Sequence, residues 1–287
     1  MAFESLALIA ITFAAACVNG ALGYGFSSIT VPLALLLVSN RLLNPALVIV
    51  EVFLNAYVLW MNRGAVRRVQ ALVVPIAWGL APGIIAGALL VARVDPAYMK
   101  VATYVMLLPM ILVQAGGYRR PIRAERPVAF VFGAAIGALY ATTTISGPPL
   151  AVLLNNQGLA KRDFRAALGV IRLTESSLAA IAYAATGLLT RPALALMPSI
   201  LPGVAIGLPV GAFVIRHVHP ETFRRVCMSF DAWLVAFGLS AVVRQMGWIG
   251  GYSSYTILAA VVLIDAALLY RFFKQPRHAE PAVISGN

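Results

Sequence analysis

Charge is scarce in this sequence. Asp, Glu, Lys and Arg make up 11% of the 287 residues, while hydrophobic types make up 61% and the mean hydropathy is +0.88. Soluble globular chains carry about a quarter charged residues, so a soluble domain is excluded and a membrane protein is indicated. Cysteine is nearly missing: Cys17 and Cys227 both lie in apolar runs. Two thiols make neither a disulfide framework nor a four-ligand metal site, and they leave the redox compartment open. The three histidines, His217, His219 and His278, fall in a loop and the tail, and no pairing of them with carboxylates suggests a metal site. No metal site, cofactor or nucleophilic catalysis is indicated, and no glycine-rich phosphate loop occurs, so enzyme is the weakest class. The charge that is present is lopsided, with 22 Lys and Arg against 10 Asp and Glu. The basic residues sit between apolar runs, where they read as a topology signal and not as a nucleic-acid footprint.

The chain start, Met1-Ala2-Phe3-Glu4 before an apolar run, lacks the basic region of a cleaved signal peptide. Residue 1 is therefore expected in the mature chain. Ala14-Ala15-Ala16-Cys17 resembles a lipoprotein box only without its leucine, and the tail beyond Arg271 turns polar and proline-containing. Stretches of roughly 20 apolar residues, the length that crosses about 30 Å of hydrocarbon as a helix, occur at 42–62, 70–92, 97–116, 164–188, 192–216, 220–243 and 253–273. Two uncharged segments are longer, 5–40 and 127–160. As straight helices each would measure about 50 Å, too long even for a tilted span.

Both long segments are interrupted, one by the glycine- and serine-rich run 19–28 and the other by 142–149, which ends in Gly147-Pro148-Pro149. Such clusters break helices. The reading is a hairpin that enters the membrane, turns in a non-helical tip and leaves on the same side. Backbone of that kind is tolerated at depth only where protein or a water-filled cavity satisfies it.

An internal repeat makes the two segments equivalents. A shift of 117 lays Gly20-Ala21-Leu22 on Gly137-Ala138-Leu139 and Pro32-Leu33-Ala34 on Pro149-Leu150-Ala151. Downstream, Pro82-Gly83 and Gly87 face Pro202-Gly203 and Gly207. If both hairpins return, 16 basic loop residues share one side (Arg63, Arg67, Arg68, Arg119, Arg120, Arg123, Arg126, Lys161, Arg162, Arg165, Arg216, Arg224, Arg225, Arg271, Lys274, Arg277), against five opposite (Arg41, Arg93, Lys100, Arg191, Arg244). If 127–160 crosses instead, the asymmetry that orients membrane proteins vanishes. Each repeat then has three full crossings, so the second is upside down relative to the first.

The expected fold is therefore an all-α polytopic membrane protein of two inverted repeats. Each repeat is a broken re-entrant hairpin plus three transmembrane helices. Residues 1–117 form the first repeat, 118–126 a basic connecting loop, 127–245 the second repeat, 253–273 an additional C-terminal span and 274–287 a polar tail. The basic side is cytoplasmic, which puts the N-terminus outside and the C-terminus in the cytoplasm of a cell (inner or plasma) membrane protein.

The pattern Asn19-Gly20-Ala21-Leu22-Gly23-Tyr24-Gly25-Phe26 leading to Val31-Pro32-Leu33, the Ser146-Gly147-Pro148-Pro149-Leu150 run and the following Asn156-Gln157-Gly158-Leu159 resemble the sulfite exporter TauE/SafE family of anion permeases. The resemblance covers nearly the whole chain to about residue 245. It implies a secondary transporter that exports a small sulfur oxyanion or organosulfonate, such as sulfite or a sulfoacetate-like anion, and carboxylates within the spans add the expectation of coupling to the proton gradient. A membrane-embedded assembly or scaffold factor and an anion channel remain as alternatives. The expected partners are a small anion and the lipid bilayer, no nucleic acid, with self-association left open.

The two tips supply the substrate-binding candidates. Half-helices that begin near Ser27 and Ser146 present unpaired N–H groups and positive dipole ends, which suit oxyanions. Gly20, Gly23, Gly25 and Gly147 would let backbone approach a sulfonate, Ser27, Ser28, Thr142, Thr143, Thr144 and Ser146 offer hydroxyl donors, and Asn19 and Tyr24 are further candidates at the first break. The same residues would equally serve to cap breaks and pack helices. Five charges lie within spans, Glu51, Arg172, Glu175, Asp231 and Asp265, and intramembrane ionisable groups point to function. Arg172 is the candidate partner of the anion, its guanidinium fork matching sulfonate geometry. The alternative is an internal pair with Glu175 three positions on. Glu51, Glu175 and Asp231 are the proton-coupling candidates, or else structural hydrogen-bonded groups. Asp265, outside the repeats, is read as structural, and the glycines spaced by four at 83–87 and 203–211 as helix packing.

Overall fold

The computed structural model describes residues 2–22, 25–115, 126–157, 159–218 and 220–274. Gly23 and Tyr24, most of the connecting loop and the tail beyond Lys274 lie outside the described residues. The described chain is all helical, with no strand. Its helices are α1 (Ala2–Leu22), α2 (Phe26–Ala34), α3 (Asn40–Asn62), α4 (Val66–Arg93), α5 (Pro96–Ala115), α6 (Arg126–Thr143), α7 (Gly147–Asn156), α8 (Lys161–Ala185), the single turn α9 (Arg191–Leu194), α10 (Met197–Val214), α11 (Pro220–Gln245) and α12 (Thr256–Lys274).

By length and hydropathy seven stretches qualify as membrane-crossing: 4–21, 40–93, 96–113, 162–185, 191–214, 225–245 and 251–274. The second is 54 residues long and holds both α3 and α4. Pro127–Thr143 is a shorter apolar helix. One of these stretches falls where the sequence had suggested only half of a hairpin: α1, at 21 residues, is long enough to cross by itself, about 31 Å. Large apolar side chains such as Trp78, Phe53 and Leu263 point outward. Together they form an apolar surface that suits hydrocarbon and not water.

Local chemistry sets the helix ends. Asp95 accepts a hydrogen bond from the N–H of Ala97 at 2.8 Å, with Pro96 opening α5 where its missing N–H costs nothing. Thr190 caps α9 in the same way. The guanidinium of Arg41, at the start of α3, donates to the carbonyls of Val91, Ala92 and Val94 at 3.0–3.1 Å. It closes the C-terminal end of α4 and fixes that end beside the start of α3.

Glycine builds the tightest seams. A Cβ placed on Gly79, Gly83 or Gly87 of α4 would strike, in order, the backbone at Phe130, Ala134 and Ala138 of α6. The residue numbers rise together, so the two helices run parallel at backbone contact. Gly203, Gly207 and Gly211 of α10 meet Ile9, Phe13 and Cys17 of α1 in the same parallel sense. The sequence pairs α3 with α8 the other way round: Leu59 meets Gly169, whereas Asn55 reaches Arg172 and Ser176. At the α4 end, Arg68 and Asp163 form an ion pair at 2.7 Å that joins the start of α4 to the start of α8.

The buried core falls into two clusters. One is made chiefly by α4, α6, α7 and α8, the other by α1, α2, α3, α5, α10 and α11. The helix α12, which adds Val261 to the second cluster, is fastened to α11 by Arg225, whose guanidinium lies 2.8 Å from Asp265 with both groups buried. Arg225 is thus not a free loop charge, as the side count assumed, but half of a buried pair with the structural Asp265.

Candidate functional site

The two breaks fall where the glycine, serine and threonine clusters lie. Leu22 ends α1, and Gly25, at φ 104°, precedes α2. That left-handed backbone is open to glycine at no steric cost. In the second segment Thr144 takes φ 57° between α6 and α7, a conformation that a β-branched residue adopts only where its surroundings hold it. The carbonyls released at the end of α6 find partners in other helices. The Tyr183 hydroxyl of α8 donates to Ala141 O, and Asn44 of α3 donates to Thr142 O at 2.8 Å. Broken backbone is satisfied by protein, the condition for it to persist away from water.

Between these tips, the centres of α3 and α8 carry a closed polar cluster. Glu51 accepts from Arg172 Nη2 at 2.9 Å, from the Tyr140 hydroxyl at 2.6 Å and from the Ser27 hydroxyl. Glu175 accepts from the Ser146 hydroxyl at 2.6 Å. Each broken segment therefore sends one serine, from the start of its short second helix, onto a carboxylate of the helix that follows it. Arg172 is 4% exposed, Glu51 1% and Glu175 0%. Among the described residues, two polar atoms in the cluster have no hydrogen-bond partner, Arg172 Nε and Glu175 Oε1, as is also true of Arg225 Nε and Asp265 Oδ2 in the α11–α12 pair. A buried donor and a buried acceptor left open in one site can take up a ligand, a water or a proton.

Of the sequence candidates, Ser27, Glu51, Ser146, Arg172 and Glu175 come together here. Arg172 pairs with Glu51 across the α3–α8 contact and not with Glu175 on its own helix. Thr142 and Thr143 donate to carbonyls of their own helix at 2.7–2.9 Å, and Thr144 to the Thr143 carbonyl at 2.7 Å. Asn19, Ser28 and Gly147 are buried beside the breaks. Gly20 faces the backbone at Leu208 of α10, within the helix seam. Asp231 is buried on α11, which packs on α5, α12 and α2, and it makes no hydrogen bond or ion pair with the cluster. Gly23 and Tyr24 lie outside the described residues.

Four contributors escaped the sequence reading: Tyr140, Asn44, Asn55 and Tyr183. Asn55 donates to the Arg172 carbonyl at 3.3 Å. All four are uncharged polar residues inside spans, and a search for intramembrane charge passes over them. Their signal is a hydroxyl or amide in an otherwise apolar helix that faces a broken one.

The profile of the family described as sulfite exporter TauE/SafE matches residues 8–239. The chain belongs to the sulfite exporter TauE/SafE family. Comparison with curated proteins and with solved structures gives no significant match. Members of the TauE/SafE family are transporters, not enzymes, so this chain is a multi-pass membrane transporter. The matched stretch contains both breaks and every residue of the polar cluster.

Proposed function

We propose that this TauE/SafE protein is a secondary transporter for a small sulfur oxyanion or organosulfonate, sulfite or a sulfoacetate-like anion, and that it works as an exporter. The observation that carries the reading is Arg172, a permanently charged fork buried at the centre of the fold, with Nε unpartnered among the described residues and a serine from each tip within the same cluster. A guanidinium in that position is expensive unless it is used, and its planar donors fit an oxyanion. Substrate would sit between the tips, with Ser27, Ser146 and the start of α2 as further donors. Glu51, Glu175 and Asp231 are the proposed proton carriers. The closed cluster favours a carrier over an open channel, because Arg172, Glu51 and Glu175 are all buried.

The proposed architecture is a pair of inverted repeats, 1–117 and 127–245, with α12 added. Four packing features support it. α1 runs parallel to α10 and α6 parallel to α4, so each repeat's first helix lies on the other's fourth. α3 runs against α8. The Arg68–Asp163 pair sets the start of α8 beside the start of α4, so the chain has to come back through α7 after α6. Arg41 sets the start of α3 at the opposite end, so α2 likewise reverses α1. The two hairpins thus enter from opposite faces. With the basic excess inside, the N-terminus is outside and the C-terminus cytoplasmic.

The test is ligand-dependent thermal stabilisation of purified protein against sulfite, thiosulfate, sulfoacetate, sulfate and simple carboxylates. One or more sulfur oxyanions should raise the melting temperature in wild type, with no rise in Arg172→Ala. No shift with any anion, together with co-purification of a fixed partner protein, would favour an assembly factor.

A further inference from the structure

We infer that Glu51 is a built-in substitute for the substrate: its carboxylate occupies Arg172 when the carrier is empty, and it takes up a proton and leaves when the anion binds. This deepens the anion-carrier reading and rests on it.

The two carboxylates of the cluster are not alike. Glu51 is fully engaged, with Arg172 and Ser27 on one oxygen and Tyr140 on the other. Three donors converge on it, one of them the charged guanidinium of Arg172, so this carboxylate is held as half of an ion pair. Glu175 has a single donor and a bare, buried Oε1, a geometry suited to the neutral acid. The titratable groups that face Glu51 are Arg172, Glu175 and Tyr183 from α8 and Tyr140 from α6, while α2 contributes the Ser27 hydroxyl. With Glu175 neutral, Arg172 and Glu51 cancel and the empty site carries no net charge.

A monovalent anion cannot simply be added to that arrangement. It would bring a second negative charge to one guanidinium in a site closed to water, a costly state. Neutrality is kept if Glu51 accepts a proton from the open side as the anion replaces it on Arg172. The proton goes from bulk water to a Glu51 carboxylate oxygen, and the anion takes the Nη2 bond and the free Nε. Ser27 and Tyr140, both hydroxyls, can turn to accept from the protonated Glu51. Loaded and empty carriers are then both neutral and both able to reorient. The carrier reorients empty only because Glu51 covers Arg172, and each anion crosses with one proton.

Labelled sulfite in proteoliposomes tests this, at pH values where it is the hydrogen sulfite monoanion and with flux through protein-free vesicles subtracted. Wild type should perform both exchange against unlabelled sulfite and net efflux. Net efflux should move one proton per anion, read by a luminal pH dye, and should not respond to a clamped potassium–valinomycin potential. Glu51→Gln, which cannot neutralise Arg172, should lower net efflux at least tenfold relative to exchange, because only the empty return step is blocked. Glu51→Asp should restore the ratio in part. Net flux that follows the clamped potential without proton movement in wild type overturns the inference without need of any variant. So does an unchanged ratio of net flux to exchange in Glu51→Gln. Absence of both activities in wild type would instead remove the anion-carrier reading beneath it.

Discussion

Arg172 and Glu51 show how far single residues could be read in advance. Both stood out in the sequence because charge is so rare in these spans. The alternative that the sequence offered to an anion-binding role for Arg172, a pair with Glu175 at i+3 on one helix face, is not what forms. Spacing along a helix identifies which side chains share a face. It does not say which facing helix comes nearer, and α3 brings Glu51 closer than the helix's own Glu175. Tyr140 was invisible for a different reason: an aromatic residue in a Gly- and Ala-rich helix reads as packing until a carboxylate is placed before its hydroxyl. Replacing it by Phe keeps the ring and removes a donor to the carboxylate that pairs with Arg172, a charge-assisted bond worth about 1.5–3 kcal/mol. Tyr140→Phe should therefore lower thermal stability and slow transport without abolishing insertion. A variant with wild-type stability and flux would show that Tyr140 is not part of the cluster's function.

At the scale of elements, glycine placement was informative and serine or threonine placement less so. The glycines spaced by four were legible as packing, and the seams of α4 with α6 and α1 with α10 confirm that reading. The tip hydroxyls could not be sorted in sequence between capping and binding, because both roles need the same groups near a break. The structure commits the hydroxyls of Thr142, Thr143 and Thr144 to neighbouring backbone and turns Ser27 and Ser146 toward carboxylates. Two predictions belong here. Gly83→Val or Gly211→Val puts a branched side chain into a facing backbone and should cost at least the 1–3 kcal/mol or so of overpacking, seen as a large drop in melting temperature. Gly64→Ala, with open space around it, should change little. Asp265→Ala leaves Arg225 buried alone and should destabilise by roughly 3–5 kcal/mol, whereas an apolar pair at both positions should recover most of that loss. Equal stability of the single and double variants would contradict the pairing.

For the whole molecule, the two broken segments and the seven ordinary spans were accessible from hydropathy and charge alone, since the membrane imposes length and polarity so strictly. The seating of α1 on α10 and of α6 on α4 was not accessible. It depends on which glycine seam meets which, and a shift of 117 residues in sequence carries no such information. The side assignment has its own check. In a background without Cys17 and Cys227, single cysteines replacing Arg162 and Arg224 should label from one compartment, and those replacing Arg93 and Arg191 from the other. Residue 162 labelling with 191 would mean that the second hairpin crosses.

The central claim is that one buried guanidinium holds the transported anion, and sulfite flux through proteoliposomes containing Arg172→Ala tests it most directly. The variant should insert at wild-type levels and lose at least ten-fold in flux, with no anion-dependent stabilisation. Flux equal to wild type in a properly inserted Arg172→Ala protein would contradict the account.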